Sequence, residues 1–166
     1  MTWRWEVLAD WLRDVDPRLG AEIGVKKGKF TSYLLNAYPK LMMHVVDPWE
    51  NQPGANEDYT EWNWIKIYNE YFENIKTVRD RIIEHRDYSK NVAPLIPDGQ
   101  LDFVFIDAQH DYISVRQDIE LWGPKIRKGG LLAGHDYQSR FPGVIAAVNE
   151  KFNPMLGSDT VWAVKI

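Results

Sequence analysis

Polar side chains crowd together where an apolar segment of the sequence ends. Residues 101–107, LDFVFID, are typical of a strand buried on both faces, and residues 107–112, DAQHDY, then bring two acids, an imidazole, an amide and a phenol. A second group, His135 and Asp136, follows the apolar residues 131–134. Carboxylates and imidazoles in this combination favour general acid–base catalysis or the binding of Mg²⁺ or Mn²⁺.

The two groups are expected to meet at one edge of a sheet. Neighbouring strands lie about 4.8 Å apart, so two adjacent strand ends would bring Asp107, His135 and Asp136 around a single point. We therefore predict a metal or catalytic site there. The alternative is helix capping, in which Asp107 caps a helix that starts at Ser114. His135 and Asp136 would likewise cap a helix near Pro142, but capping accounts for one residue of this group and not for all of them.

A glycine-containing turn earlier in the chain indicates a nucleoside site. Gly24 and Gly28 flank a turn between an apolar run and a helical segment, where backbone N–H groups can approach a ligand closely. The spacing lacks the third glycine of a dinucleotide fingerprint, so it suits a nucleoside with a short charged tail better than a pyrophosphate. Asp47 lies 23 residues after Gly24, a spacing at which an acid can bind ribose hydroxyls. Taken singly, the glycine pair is an ordinary turn and Asp47 a solvated loop acid, but together they favour a ligand. A third group, suited to a purine ring and its exocyclic amine, comprises Asp87, Tyr88 and Ser89.

The segments that carry these residues alternate between helical and strand-like patterns. Helical spacing of apolar residues predicts helices over 4–15, 30–38, 59–78, 89–96, 114–126 and 142–152. Apolar and β-branched runs predict strands over 19–25, 42–48, 81–85, 101–107, 131–136 and 160–166. This alternation predicts an α/β fold, a doubly wound, Rossmann-like and mostly parallel sheet with helices on both faces. Ligands of such sheets bind beyond the carboxyl ends of the strands, where the strand order switches.

Length and composition set further limits. The 166 residues predict one domain over residues 1–166, in which residues 50–78 form a lid. A net charge of −4 argues against general affinity for nucleic acid, and the lack of cysteine excludes disulfides and thiolate metal sites. No apolar run approaches the ~18 residues that span a membrane. No signal-peptide pattern opens the chain, so we predict a cytoplasmic protein. Trp62 and Trp64 would wall an acceptor pocket, contact a second copy of the chain or pack their helix onto the sheet.

Four segments together resemble a known enzyme family. In order and spacing, EIGVKKGKFTSYLL, HVVDPWE, LDFVFIDAQHDY and RKGGLLAGHDY are similar to the class I S-adenosylmethionine-dependent methyltransferases. Within that class they resemble the small-molecule O-methyltransferases related to macrocin, cephalosporin-pathway and catechol enzymes. The resemblance covers about residues 15–152, and it implies that the chain binds S-adenosylmethionine (SAM).

The resemblance also implies where the cofactor lies. It places Glu22 and Gly24 at the methionine end of the cofactor and Asp47 at the ribose hydroxyls. Asp87 and Ser89 would lie near the adenine. The candidate cofactor-binding residues are Glu22, Gly24, Gly28, Asp47, Trp49, Asp87, Tyr88, Ser89 and Asp107.

The same resemblance assigns metal and catalytic positions. Asp107 and Asp136 match positions that hold a divalent metal in the metal-dependent members, and His135, beside them, stands where related enzymes have an acid. His110 matches the position of a catalytic base, which is a lysine in catechol-type enzymes, and an imidazole is suited to removing a proton near neutral pH. The candidate metal ligands are Asp107, His135 and Asp136, and the candidate catalytic residues are His110, Asp107 and His135. Two alternatives stay open: His110 orients Asp136 rather than acting as the base, and His110 or His135 acts as base in an enzyme without metal.

The implied function is methyl transfer from SAM to a hydroxyl of a small-molecule acceptor, such as a sugar, a polyketide or a phenol, with Mg²⁺ or Mn²⁺ as an assisting ion. The alternatives are a cofactor-binding protein without catalysis, an enzyme that cleaves SAM, and a nucleotide-binding oxidoreductase. The missing third glycine argues against the oxidoreductase. We expect no nucleic-acid or membrane partner, and the tryptophan-rich stretch is compatible with a homo-oligomer.

Overall fold

The computed structural model describes residues 2–51 and 62–166. In these ranges the α-helices are α1 (Arg4–Leu12), α2 (Lys29–Ala37), α3 (Trp64–Ile75), α4 (Ser89–Val92), α5 (Tyr112–Trp122) and α6 (Pro142–Lys151). The strands are β1 (Leu19–Ile23), β2 (Met42–Val46), β3 (Ile82–His85), β4 (Leu101–Ile106), β5 (Ile126–Gly134), β6 (Met155–Leu156) and β7 (Trp162–Lys165).

The strands of the described ranges form one sheet in the order β3-β2-β1-β4-β5-β7-β6. β1 to β5 pair in parallel, whereas β7 pairs antiparallel with both β5 and β6. β1 and β4 are neighbours although the chain passes through β2 and β3 between them, so the strand order reverses at this point. The predicted doubly wound, mostly parallel, Rossmann-like sheet is confirmed, and its ligand site is expected at the carboxyl ends of β1 and β4.

Helices cover both faces of this sheet. On one face, α1, α2 and α3 pack against side chains that include Phe103 and Phe105 of β4. On the other face, α5 and α6 pack against Val104 and Ile106 of the same strand. Every residue of β4 is buried, which explains why its sequence is almost continuously apolar. The buried central strand of the sheet is therefore followed directly by Asp107.

Several predicted boundaries differ from the structure, and one strand was not predicted. The strand predicted over 131–136 begins earlier, at Ile126, because Gly129, with φ of +81°, forms an irregularity within β5 rather than a turn before it. The short strand β6 was not predicted, since two residues carry no periodic pattern. The helix predicted over 59–78 is Trp64–Ile75, and its first predicted residues, 59–61, lie outside the described residues. Of the helices that the structure describes, none has the length and apolar character that a membrane crossing requires.

Candidate active site

A cavity of about 1350 Å³ opens at the carboxyl ends of β1, β2 and β4. Its wall includes the residues that follow these strands, Gly24, Asp47 and Asp107. Pockets for one small ligand measure about 300–1,000 Å³, so this cavity has room for a cofactor together with a second molecule. It lies where the reversal of strand order predicts a ligand site.

Gly24 allows the first turn to touch the end of β4. Its φ is +88°, in the left-handed region that favours glycine. A Cβ at this position would collide with the backbone carbonyl of Asp107. Its N–H donates to the carbonyl oxygen of Val46 at 2.9 Å. The turn is therefore fixed against β2 and β4 at the cavity wall, and both conformation and space require glycine there.

Asp47 organises the same turn from the end of β2. Its Oδ2 accepts the N–H groups of Val25 and Lys26 at 2.9 and 2.8 Å, and its Oδ1 accepts the N–H of Trp49 at 2.7 Å. Burial raises the pKa of Asp47, and these three donors act in the opposite direction. Since a carboxylate oxygen can accept two hydrogen bonds, Oδ1 retains the capacity to accept a ligand hydroxyl. Asp47 thus shapes the turn and lines the cavity.

Glu22 is a buried carboxyl group in the cavity wall, near the end of β1. It accepts a short hydrogen bond from Oγ1 of Thr31 in α2. Burial raises the pKa of Glu22 well above its usual range. A ligand cation beside it would favour the charged carboxylate, so this position is suited to an ammonium group.

Asp118 is a cavity residue that sequence reasoning missed. Its Oδ1 accepts the hydroxyl of Ser89 at 2.5 Å, and that hydroxyl oxygen accepts Nε1–H of Trp122 at 2.8 Å. Burial raises the pKa of Asp118 to about 7. A signal was present in the sequence, because Asp118 falls at helical spacing on the same face of α5 as the apolar Val115 and Trp122. An acid on an apolar helix face marks a buried polar site.

Three predicted cofactor-binding residues lie behind the cavity wall or beside it. Gly28 packs closely against the ring of Tyr71, which a Cβ would overlap. The Trp49 indole is buried, and its Nε1–H donates to the carbonyl of Lys26 at 2.7 Å, beneath the glycine turn. Asp87 is exposed and accepts the N–H of Tyr88 and the side-chain amide of Asn91 at the start of α4. The predicted residues that do line the cavity are Glu22, Gly24, Asp47, Tyr88, Ser89, Asp107, His110 and Asp136.

An imidazole and a carboxylate from neighbouring strand ends meet in the cavity. Nε2 of His110, which follows β4, lies 2.8 Å from Oδ2 of Asp136, which follows β5. The His110 ring also contacts Phe141, with ring centres 4.3 Å apart. Asp136 adopts φ of +61°, an uncommon conformation for a residue other than glycine. Burial would raise the pKa of Asp136, but the His110 and His135 imidazoles outweigh it and hold that pKa well below the usual range.

Helix capping does not account for these residues. Asp111 is the N-cap of α5, and its side chain accepts the N–H of Ser114 at 3.0 Å, so Asp107 is not the cap of this helix. The N-cap of α6 is Phe141, with no side-chain hydrogen bond from His135 or Asp136. The polar cluster at the strand ends therefore faces the cavity for a reason other than helix formation.

Arg4, at the start of α1, enters this cluster from a distant part of the chain. Its Nη1 lies 2.8 Å from Oδ2 of Asp107 and 2.9 Å from Nδ1 of His135. Nδ1 of His135 also lies 3.1 Å from Oδ2 of Asp136, so the guanidinium and the carboxylate compete for one nitrogen. Burial would lower the pKa of His135, but Asp107 and Asp136 outweigh it and raise that pKa to about 9. His135 lies behind the cavity wall, whereas Arg4 lines it.

The residues that could hold a divalent metal differ from the predicted set by one. Among the described residues, ligand atoms of Asp107, His110 and Asp136 lie within 4.8 Å of one another, and His135 is not part of this group. These ligand types suit Mg²⁺ or Mn²⁺. Their present contacts do not suit such an ion, because Oδ2 of Asp107 is paired with Arg4 and Oδ2 of Asp136 is paired with His110. A divalent ion would have to displace the guanidinium from Oδ2 of Asp107 or bind beside it on Oδ1, so the arrangement does not fit a metal.

Tryptophans form another part of the wall. Trp3 and Trp5 stack with ring centres 5.4 Å apart, and Trp62 and Trp64 lie with ring centres 5.3 Å apart. All four line the cavity. Nζ of Lys26 lies 3.7 Å from the ring centre of Trp62. Packing of the helix onto the sheet is therefore not the whole role of Trp62 and Trp64, since both rings border the space where a ligand would lie.

Comparison with known protein families identifies the kind of domain that this chain forms. A family model described as a methyltransferase domain matches residues 21–137 of the chain. Among curated proteins, no sequence matches the chain.

Solved structures resemble the chain over almost its whole length. The O-methyltransferase NovP is 18% identical with a TM-score of 0.75, over 98% of this chain and 78% of that protein. The O-methyltransferase TomG from Streptomyces achromogenes, involved in tomaymycin synthesis and solved in complex with SAM, is 13% identical with a TM-score of 0.70, over 98% and 79% of the two chains. An O-methyltransferase from Bacillus cereus, solved in complex with SAH, is 16% identical with a TM-score of 0.67, over 98% and 80%. The TM-scores show that the chain shares the fold of these proteins.

Proposed function

The chain belongs to the methyltransferase-domain family, and on that premise we propose that it transfers the methyl group of S-adenosylmethionine to a hydroxyl oxygen of a small-molecule acceptor. The observation that carries this proposal is that one cavity is lined both by Gly24, Asp47 and Ser89 and by the His110–Asp136 pair. The TomG and Bacillus cereus structures, solved with SAM and SAH, support the choice of cofactor.

The polar groups of the cavity suggest how SAM would lie. The buried carboxyl of Glu22 would pair with the α-ammonium group at the methionine end. Oδ1 of Asp47 would accept a ribose hydroxyl. The adenine would lie towards Ser89, with Asp118 as the acceptor for its exocyclic amine, a role that the sequence had suggested for Asp87.

The reaction would be an in-line displacement at the sulfonium methyl. The acceptor oxygen forms a bond to the methyl carbon while the carbon–sulfur bond breaks, and the sulfur keeps the electron pair as a neutral thioether. The acceptor hydroxyl loses its proton to His110. Holding the oxygen close to the methyl carbon and in line with the carbon–sulfur bond can contribute about 7–11 kcal/mol to lowering the barrier.

His110 and Asp136 would act together in proton removal. The carboxylate fixes the imidazole ring and stabilises the imidazolium that forms when His110 takes the proton. His110 can therefore act as the base while it is hydrogen-bonded to Asp136, so the two roles suggested for it are compatible. His135 is less suited to be the base, because it lies behind the cavity wall and its pKa is raised to about 9.

The tryptophan walls favour a ring-shaped acceptor, such as a phenol, a polyketide or a sugar. Trp3 and Trp5 border the cavity on the side of Arg4, and Trp62 and Trp64 border it near Lys26. Aromatic faces bind flat rings and the apolar faces of sugars through large contact areas. An acceptor of this kind would have its hydroxyl directed at His110.

Further proposals concern the chain as a whole. We propose a single domain over residues 1–166. Of the lid predicted over residues 50–78, α3 packs in the core on one face of the sheet, and residues 52–61 lie outside the described residues, so the lid is not proposed further. The net charge of −4 supports a small-molecule partner rather than a nucleic acid. Cytoplasmic localisation and a homo-oligomeric state are tested by cell fractionation and by light scattering.

The experiment that tests the proposed function uses methyl-labelled SAM with a panel of phenols, hydroxylated polyketides and sugars. We expect label in one acceptor class, with the new methyl carbon on oxygen by NMR and SAH as co-product. Loss of label to water or to SAM fragments without an acceptor would instead support a SAM-cleaving enzyme. SAM binding without either reaction would support a cofactor-binding protein.

A further inference from the structure

We infer that the guanidinium of Arg4 is the resident cation of this site and takes the place of a divalent metal at Asp107, His110 and Asp136. The inference rests on the proposed function, because it describes how the same site holds its charge. It begins from one contact, the 2.8 Å ion pair between Nη1 of Arg4 and Oδ2 of Asp107.

Arg4 is held in place by its backbone as well as by its side chain. Its N–H donates to Oδ2 of Asp159 at 2.8 Å, which ties the start of α1 to the turn before β7. Further along the same helix, Leu8 and Leu12 are fully buried in the core. The guanidinium therefore enters the cluster from an anchored helix rather than from a loose arm.

The charges of the cluster leave little attraction for a second cation. The ion pair neutralises Asp107, and the two imidazoles surround Oδ2 of Asp136, His110 at 2.8 Å and His135 at 3.1 Å. A metal on Oδ1 of Asp107 would share one carboxylate with the Arg4 guanidinium, which occupies Oδ2. Repulsion between a divalent ion and a guanidinium on the same carboxylate opposes binding, and partial burial strengthens it.

Arg4 also has donors to spare for the reaction. Among the described residues, only Nη1 of its side chain has a polar partner: it donates to Oδ2 of Asp107 and lies 2.9 Å from Nδ1 of His135. A guanidinium carries five N–H donors. Arg4 and His110 both line the cavity. Its charge would stabilise the negative charge that develops on the acceptor oxygen as the proton leaves, a contribution that a metal ion makes elsewhere.

The test is direct binding of Mn²⁺ alone, followed by electron paramagnetic resonance, in wild type, Arg4→Ala, Arg4→Gln and Arg4→Lys. Arg13→Ala is the matched control, since Arg13 is an exposed arginine that follows the same helix, and among the described residues its ion pair is with Asp10. We expect wild type, Arg13→Ala and Arg4→Lys to leave the Mn²⁺ signal unchanged. Arg4→Ala and Arg4→Gln should each bind one Mn²⁺ per chain and lose it when Asp136→Asn is added.

Two results would overturn the inference. One is stoichiometric Mn²⁺ binding by the wild type that Asp136→Asn removes. The other is the failure of both Arg4→Ala and Arg4→Gln to bind Mn²⁺ while they still bind SAH, which shows that they are folded. The SAH titration on the same samples separates the two proposals. If the wild type does not bind SAH, the proposed function is contradicted, whether or not any variant binds Mn²⁺.

Discussion

Nε2 of His110 and Oδ2 of Asp136 lie 2.8 Å apart, although 26 positions separate the two residues in the sequence. The contact exists because β4 and β5 pair in parallel and both side chains follow the carboxyl ends of these strands. A buried carboxylate beside an imidazole fixes the ring and stabilises its protonated form. The pair is therefore the element of the cavity that is best suited to remove a proton from an acceptor.

Asp136→Asn tests this pair. The amide keeps the shape of the carboxylate but loses its charge, so we expect turnover to fall by about 10²–10⁴-fold while SAM affinity stays close to that of the wild type. Methyl transfer from labelled SAM and calorimetric titration measure the two quantities. Asp111→Asn is the control, because Asp111 follows His110 directly and caps α5, and asparagine caps helices equally well. Turnover at the wild-type level in Asp136→Asn would remove the pair from the mechanism.

Gly24→Ala tests the contact between the first turn and the end of β4. The new Cβ would collide with the Asp107 carbonyl, so the turn must shift, and we expect SAM affinity to fall by at least about tenfold, the effect of about 1.4 kcal/mol. Gly99→Ala is matched to it, since Gly99 also has a positive φ but a Cβ there would contact nothing within 4 Å. That control should lose about 1 kcal/mol of stability from backbone strain and keep its SAM affinity. Equal SAM binding by the two variants would show that the collision is unimportant.

Asp118 should make the free protein less stable as the pH rises. Burial raises its pKa from 3.8 to about 7, so between these values the folded state holds a proton that the unfolded state has released. The stabilisation is complete below about pH 4 and is lost as the pH passes through 7. Asp118→Asn should remove this loss, and denaturant unfolding at a series of pH values measures it. The exposed Asp14 provides the control Asp14→Asn, and an unchanged pH dependence in Asp118→Asn would contradict the assignment.

His44 should make the protein less stable as the pH falls. Its Nδ1 lies 2.9 Å from Nε2 of His85 across β2 and β3, so one ring donates and the other accepts. Burial and then the neighbouring His85 lower the pKa of His44 from 6.5 to about 4. The folded state therefore binds fewer protons than the unfolded state in this range, and stability falls as the pH drops from 6.5 towards 4.

His44→Gln keeps a hydrogen-bonding side chain without a titrating ring. We expect it to remove part of the acid loss of stability, on the order of 1–2 kcal/mol, as measured by unfolding at pH 4.5 and 7. An acid loss in His44→Gln as large as that of the wild type would assign the effect to other groups.

The sequence predicted the strand ends that form the site better than it predicted which side chains line the cavity. The strand ends at Gly24, Asp47 and Asp107 could be predicted, because each of these residues follows an apolar run. Gly28 and Trp49 carried the same local signals but pack behind the cavity, and only the packing of α3 distinguishes them.

Two functional candidates illustrate why the remainder was missed. Arg4 meets Asp107 across 103 positions of sequence, and no local pattern reveals a contact that depends on how α1 crosses the end of the sheet. Asp118 was visible as an acid on an apolar helix face, but its partner Ser89 lies in a different element. Contacts between distant elements require the fold, whereas residues at strand ends require only the order of the strands.

The measurement that tests the central claim most directly is a calorimetric titration of the purified protein with SAM and with SAH, each with and without Mg²⁺. We predict that both ligands bind one per chain and that Mg²⁺ leaves their affinities unchanged. Binding of neither ligand would contradict the assignment of this cavity to S-adenosylmethionine and with it the proposed methyl transfer.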